Sequence, residues 1–257
     1  MIRKIFAVVF LVTLAPVFFA APPALASVLD KNVIMVGTEG TYPPFEYYDE
    51  NNVLTGFDIE MMALIGEKIG REIQFVDMAF DGLIPALITS KIDLIAAAMN
   101  ATPERNRVVD FSDVYQIADS AVLVNANDKS MSSPADLNGK NIGVQLGTTE
   151  DLFLSDANLG ANIRRYQKVN DAVRELILGR IDGVLIDTPV ANGFLESDRF
   201  EGFLEIAFKE MINDDEEGFS LALRKNDAAF LEALNNALRE LNESGELGAL
   251  KDKYRLR

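Results

Sequence analysis

Residues 96–112, AAAMNATPERNRVVDFS, place a cation just after an apolar run that is typical of a buried strand. The run stops at Asn100, and a short polar stretch containing Arg105 follows before apolar residues resume. A guanidinium can bind a carboxylate through two parallel hydrogen bonds, so this arginine could hold an anion at a strand end. It could also cap a surface turn by pairing with Glu104 or Asp110, and the segment alone leaves both roles open.

Three more polar stretches follow predicted strands. Residues 37–45, GTEGTYPPF, come after the first strand and contain Glu39 and Tyr42, while residues 147–149 open a predicted helix and Asp187 follows a later strand. In open α/β sheets, ligands bind beyond the carboxyl ends of the strands. We therefore expect these stretches to meet in one place.

The charged groups at these strand ends suit a zwitterion. Arg105 would bind a carboxylate, together with backbone N–H groups at the helix that begins at Thr148 and Thr149. Asp187 would bind an ammonium group. Buried contacts of this kind contribute about 1.5–3 kcal/mol each, so several could support micromolar binding, about −8 kcal/mol.

Neighbouring residues could complete such a site. The carbonyl of Ala98 and the side-chain oxygen of Asn100 could accept the remaining ammonium protons. Tyr42 and Phe80 offer aromatic walls for an aliphatic chain or for a cation over a ring.

Each of these residues also has a simpler structural role. Asp187 and Thr148 could be helix N-caps, because Asp and Thr are common in that position. Phe80 could belong to the core, and Glu39 could be a solvated loop residue.

The composition excludes several kinds of chemistry. The 257 residues contain no cysteine and no histidine, which removes thiol nucleophiles, thiolate metal sites and the Ser-His-Asp arrangement. The acidic run of residues 214–217 lacks the alternating ligands and glycine turn of a calcium loop, so we interpret it as solvated. We expect no cofactor.

The first 26 residues have the features of a secretory signal peptide. Arg3 and Lys4 precede a short apolar run, and residues 24–26, ALA, form a cleavage signal. Removing this segment takes away two of 24 cationic residues and none of the 40 acids, which leaves a formal net charge of −18. We expect a periplasmic protein without a lipid anchor, since no cysteine follows, and the charge argues against nucleic acid or anionic membrane as a partner.

Strand and helix patterns alternate along the chain. Predicted strands cover 33–38, 72–76, 92–98, 141–145, 162–166 and 183–186, and predicted helices cover 57–70, 80–89, 148–154, 170–178, 227–241 and 246–254. This order predicts an α/β fold with parallel sheets flanked by helices.

The alternation falls into two units, each large enough to have its own core. We predict one lobe from 27–117 and 214–257 and a second from 118–213. The extended runs 115–124 and 207–217 would form a two-segment hinge between them, because neither run is rich in Gly or Ser.

Several motifs recur as a known set, in order and spacing, over most of the chain after the leader. They are VGTEGTYPPFEY at 36–47, GFDIE at 56–60, FDGLIPAL at 80–87, KIDLIAAAMNATPER at 91–105, VDFS at 109–112, DLNGKNIGV at 136–144, GTT at 147–149 and IDTP at 186–189. With these motifs the sequence resembles the periplasmic polar amino-acid-binding proteins of ABC importers, solute-binding protein family 3.

The resemblance implies a two-lobe periplasmic-binding-protein fold of type II that closes over one L-amino acid. It implies that Arg105 binds the α-carboxylate with backbone groups near Thr148 and Thr149, and that Asp187 binds the α-ammonium.

The resemblance also assigns the remaining contacts. Tyr42 and Phe80 would flank the ligand side chain, and we count Ala98 and Gln145 among the expected ligand contacts. Family members often have Ser or Thr where this chain has Asn100, so a hydroxyl contact at that position is not expected here.

Glu39 matches a position where the family uses an acid to meet a polar or cationic side-chain end. An acidic ligand would meet this carboxylate as a like charge, which costs several kcal/mol when buried. We therefore expect a basic amino acid, arginine first, with glutamine as the next candidate.

The resemblance further implies a membrane-embedded ABC permease as partner, and we expect the binding protein to be a monomer. Two alternatives remain. The same fold carries cyclohexadienyl dehydratases, but the position three residues after Asp187 is Val190, which cannot serve as a general acid. A ligand sensor for a separate receptor is the other alternative.

Overall fold

The computed structural model describes residues 27–210 and 218–256. The predicted signal peptide and the acidic run of residues 214–217 lie outside the described residues. Within the described ranges, no helix combines the length and apolar character needed to cross a membrane.

Thirteen strands and eight α-helices are found in the described residues. The strands are β1 (Val33–Thr38), β2 (Thr41–Tyr42), β3 (Glu46–Tyr48), β4 (Leu54–Thr55), β5 (Glu72–Asp77), β6 (Leu94–Ile95), β7 (Val109–Phe111), β8 (Ser120–Asn125), β9 (Asn141–Gln145), β10 (Asn162–Tyr166), β11 (Gly183–Asp187), β12 (Leu204–Glu210) and β13 (Ala222–Arg224). The helices are α1 (Phe57–Ile69), α2 (Phe80–Ile88), α3 (Pro103–Asn106), α4 (Thr149–Asp156), α5 (Val169–Ile177), α6 (Thr188–Leu195), α7 (Ala228–Ser244) and α8 (Glu246–Lys253). Two short 3₁₀ turns lie at Val28–Asp30 and Pro134–Leu137.

The structure has the two-lobe α/β fold of type II. In the first lobe the strands follow the order β5-β1-β6-β13-β7, and in the second the order β10-β9-β11-β8-β12. Both sheets carry helices that connect their parallel strands. The predicted fold class is therefore confirmed.

The expectation that the sheets are parallel is wrong in part. β13 runs antiparallel to both β6 and β7, and β8 runs antiparallel to both β11 and β12. β8 and β13 are the first strands that the chain enters after passing from one sheet to the other. Because no helical crossover precedes them within their own sheet, nothing forces them to run parallel to their neighbours.

Predicted element bounds agree with the structure within a few residues, except at 92–98. Only Leu94–Ile95 forms a strand there, because the chain turns at Ala98, whose φ is +43°. After this turn, Asn100 forms an isolated antiparallel bridge with Phe219.

The predicted crossings only partly match the structure. The run 115–124 continues into β8, and the run 207–217 begins inside β12 and continues outside the described residues. The lobe boundary at 117/118 falls between β7 and β8, while that at 213/214 lies outside the described residues. The lobe bounds stay a prediction.

The core of the first lobe supports the loops that carry the polar stretches. α1 buries Phe57, Met61 and Ile65, and it ends at Gly70, whose φ of +64° suits a residue without a side chain. The ring of Phe45 packs edge-on against Phe57, holding the end of the turn between β2 and β3 on the core.

Candidate functional site

The strand ends of the two lobes face one another across a small, largely buried pocket. The pocket is lined by Glu39, Tyr42, Glu46, Phe80, Ala97, Ala98, Asn100, Arg105, Gln145, Thr148, Thr149, Glu150 and Asp187. All ten site residues predicted from sequence are among them.

Arg105 is held at the pocket wall by α3, which begins where the Thr102 side chain accepts the Arg105 N–H. Its side chain is only 8% exposed. Nη1 donates to the carbonyl of Asn100 at 2.7 Å and Nη2 to that of Gly147 at 2.9 Å. The guanidinium carbon lies 5.4 Å from the ring centroid of Phe80. The planar cation is thus oriented from several sides by the protein's own groups.

The alternative role of Arg105, a surface cap, does not match this geometry. Glu104 pairs with Arg107 at 3.7 Å, and Asp110 pairs with Lys225 at 2.6 Å. The two acids proposed as partners thus have other cations, while Arg105 is buried.

Asp187 lies at the end of β11, directly before α6. It occupies the N-cap position, as its alternative role predicts, but its side chain makes no capping hydrogen bond. The carboxylate is instead buried, and its Oδ2 accepts a 2.5 Å bond from Tyr42 Oη. Oδ1 is buried and meets no donor among the described residues. Burial, then the charge of Glu150, raises the pKa of Asp187 well above its usual range.

Glu39 is 1% exposed, so its alternative role as a solvated loop residue does not match the structure. Both its oxygens lie 2.9 Å from Thr41 Oγ1, and Gln145 Nε2 donates to Oε2 at 3.1 Å. Burial raises the pKa of Glu39, although these two donors oppose the shift. A buried carboxylate with few donors stabilises a cation placed beside it.

The N-terminus of α4 forms the opposite wall. Thr148 is its N-cap, and its Oγ1 accepts the N–H of Asp151, as its structural role predicts. Thr149 Oγ1 accepts a 3.1 Å bond from Asn100 Nδ2. The Asn100 amide therefore binds a residue of the second lobe. This contact gives Asn100 a role at a position where the proteins that the sequence resembles often have Ser or Thr.

Sequence reasoning missed Glu46. In the hairpin of β2 and β3, Glu46 pairs directly opposite Tyr42, and residues in such a pair project from the same face. The side chain is 1% exposed and lines the pocket. Burial, then the charge of Asp58, raises the pKa of Glu46 well above its usual range. An alternating pattern across the PPF turn could have indicated this hairpin.

Sequence reasoning also missed Glu150, the residue after Thr149. It is buried in the first turn of α4, where Ser120 Oγ donates to Oε1 at 3.0 Å and Thr149 Oγ1 lies 3.3 Å from Oε2. Acids are favoured in the first helical turn, so Glu150 reads as an ordinary helix residue until the fold is known.

The pocket wall has an unequal charge balance. Four lining residues are acids and one, Arg105, is a cation. Such an environment favours an occupant that carries more positive than negative charge. Among the described residues, no group of three or more acids is arranged to hold a metal ion.

The comparisons with known proteins agree with this architecture. The model of the bacterial extracellular solute-binding proteins, family 3, matches residues 34–257. The arginine-binding extracellular protein ArtP of Bacillus subtilis is 36% identical over 227 residues, which are 87% of this chain and 86% of that protein. The "Probable histidine-binding protein" of Campylobacter jejuni is 38% identical over 224 residues, covering 87% of this chain and 85% of that protein.

Solved structures show the same similarity. An ancestral arginine-binding protein, solved with arginine and with glutamine, has a TM-score of 0.82 and 36% identity over 87% of this chain and 98% of its own. The ancestral amino acid-binding protein AncCDT-1, described as a precursor of cyclohexadienyl dehydratase, has a TM-score of 0.80 and 33% identity over 90% of this chain and 100% of its own. The chain therefore belongs to the bacterial extracellular solute-binding proteins, family 3.

Proposed function

We propose that the protein captures a basic L-amino acid, arginine first, between its two lobes and delivers it to an ABC permease. The observation that carries the proposal is the single pocket in which one buried arginine faces four buried acids. A zwitterion with an additional cationic group matches that balance, because it brings two positive charges and one negative charge.

The two ends of the ligand backbone have separate partners in this proposal. The carboxylate would bind Arg105, whose guanidinium is already oriented by two carbonyl groups. The ammonium would bind Asp187, whose Oδ1 is buried and meets no donor among the described residues, with Glu150 beside it. Each charged group of the ligand would then lose its hydrating water and gain a buried partner of opposite charge.

The ligand side chain would extend between Tyr42 and Phe80 toward Glu39. A cationic end is favoured there because the carboxylate of Glu39 is buried, and among the described residues its direct donors are Thr41 and Gln145. A glutamine amide could donate to the same carboxylate without the charge, which makes glutamine the next candidate. An acidic side chain would be repelled.

Closure would couple binding to delivery. Four hydrogen bonds cross between the lobes at the pocket, joining Arg105 to Gly147, Asn100 to Thr149, Gln145 to Glu39 and Tyr42 to Asp187. A ligand that contacts the same walls stabilises the closed form selectively, and a permease could distinguish that form from the open one.

The relatives support these assignments. One relative is named for arginine and another for histidine, and an ancestral structure contains either arginine or glutamine. In keeping with the extracellular or periplasmic relatives, we propose secretion to the periplasm by cleavage after residue 26, with the mature protein acting as a monomer.

Similarity to AncCDT-1 makes a dehydratase the second candidate. The names of the other relatives and the family itself describe binding proteins. Incubation with a cyclohexadienyl acid separates the two, because turnover would establish the enzyme and binding without turnover would contradict it.

The test is calorimetric titration of residues 27–257, unfolded and refolded to remove carried-over ligand. Arginine, lysine, histidine, glutamine and glutamate are the ligands. We expect the basic amino acids to bind most tightly. Tight binding of glutamate, or no binding of any amino acid, would overturn the proposal.

The Glu39→Gln variant tests the side-chain assignment, with Glu67→Gln on the exposed face of α1 as its control. Loss of one buried charge contact should weaken arginine about tenfold or more and leave glutamine nearly unchanged. Equal loss for both ligands, or the same loss in the control, contradicts the role of Glu39.

A further inference from the structure

Beneath the pocket, Glu46 faces a second buried acid, Asp58, near the N-terminus of α1. Asp58 Oδ2 accepts two hydrogen bonds, from the Ala98 N–H at 2.9 Å and from Tyr115 Oη at 2.7 Å. Both acids are almost fully buried, and Glu46 also lines the pocket wall. Asp58 thus connects the pocket to Tyr115, which lies in the segment between the two sheets.

The two carboxyl groups lie close together, and each has a buried oxygen without a donor. The Asp58 N–H donates to the carbonyl of Phe45, the residue before Glu46, at 2.9 Å. Glu46 Oε2 and Asp58 Oδ1 are both buried, and neither meets an N–H or O–H donor among the described residues. Burial without donors and a nearby like charge both favour the protonated form of a carboxyl group. Asp58 Oδ2 accepts two hydrogen bonds that stabilise its charge, so Glu46 is the better proton holder.

The groups around Glu46 favour the protonated form. Asp58 faces it from α1, Glu39 from the loop after β1, and Asp187 from the end of β11, and all three are acids. The hydroxyl of Tyr115 reaches the pair from the segment after β7 through Asp58. Burial is the largest cause of the raised pKa of Glu46, and the charge of Asp58 follows.

Resting on the proposed function, we propose that Glu46 holds a proton in the ligand-free pocket and that the cationic side chain of a basic amino acid displaces it. The O–H bond of Glu46 breaks, the proton leaves to solvent, and an N–H group of the ligand cation donates to the carboxylate in its place. One positive charge replaces another, so the charge of this part of the pocket is unchanged. A neutral side chain brings no such charge and leaves the proton where it is. Glu46 is then a specificity residue that couples the binding of basic ligands to proton release.

The experiment measures protons released on binding. Arginine and its neutral isostere citrulline are titrated near pH 7 in buffers of different ionisation enthalpy. We expect arginine to release about one proton more than citrulline. At pH values below the pKa of Glu46, the affinity for arginine relative to citrulline should therefore increase with rising pH, by up to about tenfold per pH unit. Glutamine serves as a second neutral ligand.

The Glu46→Gln variant keeps the shape of the side chain but cannot release a proton. We expect it to bind citrulline or glutamine, which shows that it is folded, and to lose the additional proton release with arginine. Glu67→Gln, on the exposed face of α1, is the comparison variant and should keep that release. Equal release for arginine and citrulline in the wild type, or an unchanged difference in Glu46→Gln, would overturn the inference.

The two proposals fail in different ways. If no amino acid binds, the proposed function is wrong and the exchange fails with it. If arginine binds without the additional proton, the proposed function stands and only the exchange is wrong.

Discussion

Tyr42 and Asp187 are 145 residues apart in the chain and belong to different lobes, yet Tyr42 Oη donates a 2.5 Å hydrogen bond to Asp187 Oδ2. Both side chains are buried. The bond joins a loop of the first lobe to the strand end proposed to hold the ligand ammonium. It therefore stabilises the closed arrangement and orients the carboxylate at the same time.

We expect Tyr42→Phe to open the ligand-free protein. The variant keeps the aromatic wall but removes the donor from Asp187 Oδ2, and a hydrogen bond to a charged group contributes about 1.5–3 kcal/mol. Small-angle scattering should show a larger radius of gyration without ligand, and calorimetry should show arginine binding weakened by about tenfold.

Tyr48→Phe is the matched control for this variant. Its hydroxyl contacts Asp77 within the first lobe at an exposed position, so its loss should change neither shape nor affinity. An unchanged radius of gyration in Tyr42→Phe would show that the cross-lobe bond does not hold the lobes together.

Arg105→Lys should weaken binding of every amino acid, whatever its side chain. Lysine keeps the charge but cannot present two parallel donors to a carboxylate or hold both neighbouring carbonyls. We expect a loss of about tenfold to a hundredfold for arginine and glutamine alike, measured by calorimetry. Arg107→Lys, an exposed cation just after α3, should bind like the wild type. A loss confined to one ligand would contradict a contact with the shared α-carboxylate.

Gly193 allows α6 to approach the first lobe closely. A Cβ at this position would lie 3.1 Å from the carbonyl oxygen of Pro43. Gly193→Ala should therefore hold the lobes slightly apart and weaken ligand binding severalfold, although alanine favours the helix by about 1 kcal/mol.

Gly82→Ala is the matched control, because a Cβ there, in α2, meets nothing within 4 Å. It should gain the same helix propensity and keep its affinity. Equal affinities for the two variants, measured by calorimetry alongside thermal unfolding, would show that Gly193 does not limit closure.

Glu46→Gln should stabilise the ligand-free protein more at higher pH. Because the folded-state pKa of Glu46 is raised above its ordinary value of 4.5, the folded protein binds more protons than the unfolded chain. The free energy of unfolding therefore falls as pH rises from about 4.5 until the folded-state pKa is passed.

Glutamine at this position removes that fall. The free energy of unfolding of Glu46→Gln, relative to that of the wild type, should therefore grow by on the order of 1 kcal/mol per pH unit. Urea unfolding at several pH values measures it. The pKa of Asp58 is raised to about 6, and that of Glu39 is also raised. Both groups therefore lower the free energy of unfolding as pH rises, in the variant as in the wild type. A gain that does not depend on pH would contradict a proton on Glu46.

Sequence patterns predicted the elements well because their signals are local. The apolar spacing of α1 and the Gly70 stop depend only on nearby residues, and both agree with the structure. The strand bounds of β1, β9 and β10 match for the same reason. The parallel sheets were predicted wrongly in part, because the direction of β8 and β13 depends on how the chain passes between the sheets.

The sequence by itself determined which polar residues follow the strands, and its motifs indicated the family and the ten residues expected at the site. Only the tertiary structure decided how those residues pair. It buries Glu39, pairs the Asp187 carboxylate with Tyr42 and not with a helix N-terminus, and places Asp58 beside the segment that carries Glu46. The physical reason is that burial and hydrogen-bond partners depend on groups distant in the chain, so the charge state of the pocket follows from packing between the lobes and not from any local pattern.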